Sequence, residues 1–222
     1  MTTVFVTASG TDVGKTFVTA KLVAELRAAR RSALALKPVA SGFDAENVAA
    51  TDTGVLLDAL DLPATPANVD AVSPWRFAAP LSPDMAAARE RRRVPFTDLV
   101  EFCRAPRPAD VVLIEGIGGV MVPLDDTHTV LDWIVALRAP VLLVAGSYLG
   151  TLSHTLTSYM VLEKAGLEVK ALILNESAAS PVPLSETKTS LARHLPVEIV
   201  AQPRVASYRD ATEIHAWARR WS

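Results

Sequence analysis

The stretch Val4-Phe-Val-Thr-Ala-Ser-Gly-Thr-Asp-Val-Gly-Lys-Thr16 decides the fold. A short β-branched and aromatic run reads as a strand ending at Thr7, and Gly14-Lys15-Thr16 opens an Ala-rich helical segment. Between them lies a glycine-bearing loop. In a strand–loop–helix of this kind the loop and first-turn N–H groups point at one spot, and the helix dipole favours negative charge there. Lys15 adds a point charge suited to β/γ-phosphates, and the Thr16 hydroxyl suits a magnesium ion. The strict phosphate-loop pattern places its first glycine where this chain has Ser9, with Gly10 one position later, so the loop is a variant of that pattern. The other reading is an ordinary βα turn carrying a solvated lysine.

The composition narrows the classes. A chain of 222 residues suits one α/β domain spanning 1–222, and 50% hydrophobic residues are enough to cover both faces of a buried sheet. A net charge of −2 gives no general attraction to nucleic acid or membrane. The single cysteine, Cys103, cannot form an internal disulfide and reads as a small apolar filler in a reducing, cytoplasmic compartment. No N-terminal signal is expected, because a strand pattern begins at Val4, and runs such as 141–145 are far too short to span a membrane.

Strands and helices then alternate. Helix 17–30 carries Val18, Leu22, Val23 and Leu26 at helical spacing, and strand 33–38 is stopped by Pro38. A helix over 51–60 follows, with Thr51 as its cap. The segment 61–83, with prolines at 63, 66, 74, 80 and 83, reads as a long connection. Helices at 84–92 and 96–103 precede Val111-Val-Leu-Ile-Glu115, a continuous apolar run of the central parallel type. Strand 140–145, helix 152–165, strand 169–174, helix 184–194 and strand 197–201 continue the pattern. A last helix carries Ile214, Trp217, Ala218 and Trp221 on one stripe that suits core docking. The alternation predicts an α/β fold: a single-domain, doubly wound, mostly parallel sheet with a variant phosphate-binding loop, P-loop NTPase-like. Its ligands belong beyond the C-terminal strand ends.

That edge gathers the loop 8–16, Lys37, Glu115, Ser147 and Asn175. A carboxylate ending an all-apolar strand is costly unless a cation pairs with it. For Glu115 the cation is either magnesium shared with Thr16 and a phosphate, or a lysine, Lys37 or Lys15. Lys37 itself is either a second phosphate contact, its exit fixed by Pro38, or a solvated strand-end lysine. The four histidines show no ligand spacing, and no Gly-x-Ser-x-Gly motif occurs. The basic run 89–93 lacks interleaved aromatics and reads as a solvated helix end.

Several motifs together resemble the dethiobiotin synthetases, ATP-dependent ligases of biotin biosynthesis. They are Thr11-Asp-Val-Gly-Lys-Thr16, Lys37-Pro-Val-Ala-Ser-Gly42, Phe77-Ala-Ala-Pro-Leu-Ser-Pro83 and Glu115-Gly-Ile-Gly-Gly119. Pro123-Leu-Asp-Asp-Thr127 with Asp132-Trp133, and Leu149-Gly-Thr-Leu-Ser-His154, extend the likeness over most of the chain. The resemblance implies a cytoplasmic homodimer that joins 7,8-diaminononanoate and CO2 (as the gas or from bicarbonate) at the expense of ATP. Its products are dethiobiotin, ADP and phosphate, formed through a carbamate and a carbamic-phosphoric anhydride. It implies Lys15 and Lys37 as catalytic residues, and Thr16, Asp52 and Glu115 as ligands of Mg2+, with Asp44 or Glu46 as substitutes for Asp52. It places Asp12, Val13, Gly14, Lys15, Thr16, Phe17 and Gly116, Ile117, Gly118 around the nucleotide, with Asn175, Pro203, Arg204 and Val205 at the base. Thr11 and Ser41 would touch the diamine or carbamate. The start of a helix at Gly150, Thr151, Leu152 and Ser153 would hold the substrate carboxylate from the partner subunit.

Many members have Gly at the position of Ala8, Asn at that of Ser153 and Glu at that of Asp12. A nucleotide switch of the partitioning-ATPase type is the alternative from another class. Such switches usually carry a second lysine early in the loop, where this chain has Ser9-Gly10. An amidotransferase-type ligase would need a further domain.

Overall fold

The computed structural model describes residues 2–218. Strand β1 (Thr2–Ala8) runs straight into the loop, and helix α1 (Lys15–Ala28) leaves it, starting two residues earlier than the apolar spacing implied. Six strands form a parallel sheet in the order β2-β5-β1-β6-β7-β8. They are β2 (Ala33–Leu36), β5 (Val111–Glu115), β1, β6 (Val141–Gly146), β7 (Val169–Asn175) and β8 (Ile199–Gln202). The order reverses beside β1, so the loop after β1 opens at the crevice where such sheets bind ligands.

Helices cover both faces, as continuous apolar strands require. One face packs α1, α2 (Asp52–Ala59), α3 (Pro66–Val72) and α9 (Thr212–Ala218) through Leu22, Leu56, Val69, Ile214 and Trp217. The other packs α4 (Pro83–Arg89), α5 (Phe96–Arg104), α6 (Val130–Leu137), α7 (Thr151–Lys164) and α8 (Leu184–Ala192). Ile214 and Trp217 dock into the core as expected, whereas Trp221 lies outside the described residues. Cys103 is buried in the second cluster, and burial pushes its thiol up to about 12, so the apolar-filler reading holds. No helix among the described residues is long and apolar enough to cross a membrane.

Three expectations need correction. The 61–83 segment is not a bare connection: it holds α3 and β4 (Trp75–Phe77), and α4 opens at its last residue. Pro66 and Pro83 sit at first-turn positions, where a missing N–H costs nothing, so prolines that read as loop here start helices. The 33–38 strand ends at Leu36; the chain resumes as β3 (Val39–Ser41), which pairs with β4 in a separate two-stranded sheet. Helix α6 had no counterpart in the expected elements. Its start is a capping box, with Thr129 accepting from the Asp132 N–H and the Asp132 carboxylate accepting from the Thr129 N–H at 2.7 Å.

Trp133 of that helix is fully buried and meets Phe5 edge-on, with ring centroids 4.8 Å apart. Trp133→Ala should therefore cost about 3–5 kcal/mol of stability, read as a lowered midpoint in urea unfolding. A midpoint equal to the parent's would mean that the indole contributes nothing there.

Candidate active site

The functional edge is assembled from strand ends and two helix starts. Gly14 adopts a left-handed φ of 95°, and a side chain there would also collide with the amide of Asn175. Asn175, at the end of β7, donates from Nδ2 to the Val13 carbonyl at 2.9 Å and so ties the loop to the sheet. Its Oδ1 is buried without a hydrogen-bond partner among the described residues. Lys15 is buried and reaches back to the Gly10 carbonyl at 3.1 Å. Burial, then repulsion from Lys37, lowers its ammonium pKa to about 8.

Lys37, just past β2, is buried, not solvated. Its Nζ donates to Glu115 Oε1 at 2.6 Å and pairs with Asp52 Oδ2 at 2.7 Å. Burial alone would lower its pKa, but Glu115 and Asp52 outweigh that and hold it above the usual lysine range. Of the two lysines open to Glu115, the one that pairs with it is Lys37. Glu115 is 0% exposed and also accepts from the Thr16 hydroxyl at 2.7 Å, whereas its Oε2 is buried without a hydrogen-bond partner among the described residues. Asp52 arrives from the first turn of α2, which Thr51 caps by accepting from the Gly54 N–H at 3.2 Å. Gly54 is needed there, because any side chain would strike the Val48 carbonyl of the preceding turn. Desolvation opposes ionisation of Asp52, but Lys37, Thr16 and Lys15 together hold its carboxyl below the usual range. Asp44 is spent on its own turn, accepting from the Glu46 and Asn47 N–H groups.

Two clefts meet at Asp12 and Gly14. The first, of about 580 Å3, is lined by Thr11, Lys15, Thr16, Lys37, Ser41 and Asp52, with Ile117 and Gly118 opposite. The second, of about 290 Å3, is lined by Val13, Phe17, Asn175, Pro203, Arg204 and Val205. Nearly all the expected nucleotide and diamine residues are thus brought together. Sequence reasoning missed the Pro80–Pro83 wall of the first cleft, which arrives through the β3–β4 sheet. It also missed Glu176 in the second, whose Oε2 accepts from the Arg204 N–H at 3.0 Å. Position just after β7 was the available signal for Glu176.

Gly150, Thr151, Leu152 and Ser153 line neither cleft of their own chain. The Thr151 side chain is buried and its hydroxyl donates to the Gly146 carbonyl, which removes it as an anion donor.

A glycine-lysine-threonine turn at the switch point of a parallel sheet, with a second lysine, a buried glutamate and a half-exposed aspartate around it, defines a phosphate-loop nucleotide-binding α/β protein. Solved structures agree on the fold alone. FtsY of Thermotoga maritima gives a TM-score of 0.55 at 16% identity, covering 98% of this chain and 67% of that one. MinD of Aquifex aeolicus gives 0.55 at 15%, covering 100% and 97%.

A family model described as an AAA domain matches residues 2–206. Proteins called ATP-dependent dethiobiotin synthetase BioD are 49% identical in Acidiphilium cryptum (96% of this chain, 95% of that one) and 48% in Methylobacterium nodulans (92% and 94%). One from Phenylobacterium zucineum is 44% identical, covering 92% and 89%. The chain belongs to the dethiobiotin synthetase family.

Proposed function

We propose that this chain, as a single ligase domain, closes the ureido ring of dethiobiotin from 7,8-diaminononanoate, CO2 and ATP, releasing ADP and phosphate. The observation that carries the reading is the pair of buried lysines at a phosphate loop, facing one cleft that joins a second, base-sized one. One substrate amine adds to CO2 and loses a proton to give a carbamate. A carbamate oxygen then attacks the γ-phosphorus, the bond to ADP breaks, and a carbamic-phosphoric anhydride forms. The second amine attacks the carbamoyl carbon, phosphate leaves with the bonding pair, and the ring closes.

Phosphoryl transfer needs positioning and charge neutralisation more than covalent help. Lys15 and Lys37 supply the charge, and Lys37 is held by its two acids for that task. Thr11 and Ser41 face the same cleft and suit the diamine end and its anionic carbamate. Asn175 Oδ1, an acceptor fixed by the bond from Nδ2 to Val13, suits a base amino group.

Thr16, Asp52 and Glu115 together offer two carboxylates and a hydroxyl, the oxygen donor set that magnesium takes. The unpartnered Glu115 Oε2 fits that role, and these three residues would hold the ion. Bound there, magnesium would neutralise phosphate charge. Glu115→Gln should raise the magnesium concentration for half-maximal turnover by about tenfold or more. An unchanged titration would take Glu115 out of the metal shell.

The exposed start of α7 supports a homodimer. Leu149 is 87% exposed beside Gly150, and the first-turn amides with the Ser153 hydroxyl suit a carboxylate lying in the partner's cleft. We place the enzyme in the cytoplasm, acting on small molecules without nucleic acid or membrane. Phosphate release from ATP tests the whole reading: it should require both the diamine and bicarbonate. Release indifferent to the diamine would favour a nucleotide switch instead.

A further inference from the structure

Residues 9–13 of the phosphate loop are anchored at both ends. The Ser9 N–H donates to the Val144 carbonyl at 2.9 Å, and the Val13 carbonyl accepts from Asn175. Between them lies Gly10, the residue with the greatest freedom, one position later than the strict pattern puts its glycine. Two residues come near Gly10. A side-chain carbon added to Gly119 would lie 3.4 Å from the Gly10 backbone, and one added to Gly10 would lie 3.6 Å from the Tyr148 phenol oxygen.

Tyr148 follows β6, the strand paired with β1, and its half-buried ring packs against the core face that includes Val13. A carbon added to Gly146 would meet the Tyr148 ring at 3.1 Å and Val13 at 3.3 Å, so ring and loop lie side by side. The phenol is held by His154, from the first turn of α7, with Oη 2.9 Å from Nδ1. The Gly10 carbonyl, in turn, accepts from Lys15. His154, Tyr148, Gly10 and Lys15 therefore lie in succession from the start of α7 to the ammonium group in the cleft.

We infer that Tyr148, held by His154, is a positioning residue that braces Gly10 and with it the phosphate loop and Lys15. Tyr148 lines neither cleft of its own chain, so its effect on them runs through the loop. A loop already ordered before the nucleotide arrives binds more tightly, because less freedom is lost on binding. The inference rests on the nucleotide-binding reading.

The test is calorimetric titration of the full chain with a non-hydrolysable ATP analogue and magnesium, comparing wild type, Tyr148→Ala, Tyr148→Phe, His154→Leu and the Tyr148→Phe/His154→Leu double variant. Circular dichroism verifies that each is folded. Tyr148→Ala should bind about tenfold more weakly, since it loses the brace outright. Tyr148→Phe and His154→Leu should each lose about threefold. The double variant should be no weaker than the weaker single variant, because both substitutions remove one shared bond. Variants that bind as tightly as wild type, or single losses that add in the double variant, overturn the inference. Wild-type protein that does not bind the analogue overturns the nucleotide reading itself, and the brace with it.

Discussion

Lys37→Ala should lower ring-closing turnover by about 10²-fold or more and, separately, destabilise the fold. The catalytic loss follows from removing a charge aimed at a transferring phosphoryl group in a cleft partly closed to water, where one such contact contributes about 3–4 kcal/mol. The stability loss follows from Glu115, which is fully buried and takes a 2.6 Å hydrogen bond from Lys37. Removing one member of a buried ion pair leaves an uncompensated charge, at about 3–5 kcal/mol. Lys37→Ala/Glu115→Gln should regain much of the stability, since the stranded charge is gone, but no turnover. Initial rates and urea unfolding on the same preparations separate the two effects. Near-normal turnover in Lys37→Ala would return Lys37 to a purely structural role.

Lys15→Met should abolish turnover by a similar factor yet leave the fold intact or slightly firmer. Among the described residues Lys15 has no carboxylate within ion-pair distance; its bond is to the Gly10 carbonyl, and its pKa is lowered to about 8. Between pH 8 and the ordinary value of 10.5 the unfolded chain binds the Lys15 proton and the folded chain does not. Stability attributable to this group therefore rises with pH through that window. In nucleotide-free, metal-free protein the rise should be present in wild type and missing in Lys15→Met, as read from unfolding midpoints. Identical pH profiles would mean that burial does not disfavour the charge.

The two lysines thus have opposite relations to the fold, although both read from sequence as phosphate contacts. The motif around Lys15 is local, and the strand–loop–helix was legible because the chain itself fixes the spacing of every part. Glu115 was legible as a carboxylate needing a cation, since a continuous apolar strand leaves few ways to place it. Which lysine it meets was not, because Lys37 reaches it from just past β2, and Asp52 reaches Lys37 from α2, through long-range packing. The small elements were hidden for another reason. Helix α3 has seven residues, about two turns, too few for apolar periodicity to stand out against its proline. Only caps announce such helices, and the Thr129/Asp132 box of α6 is one that could have been used.

In the function proposed here, one rim of the sheet holds a triphosphate against Lys15, Lys37 and magnesium, with its base in the adjoining cleft. Crystals grown with the diamine, bicarbonate, magnesium and a non-hydrolysable ATP analogue test it directly. The triphosphate should lie across the loop at Gly14, the base beside Asn175, and the diamine near Thr11 and Ser41. A nucleotide bound elsewhere, or a diamine remote from the γ-phosphate, would contradict it.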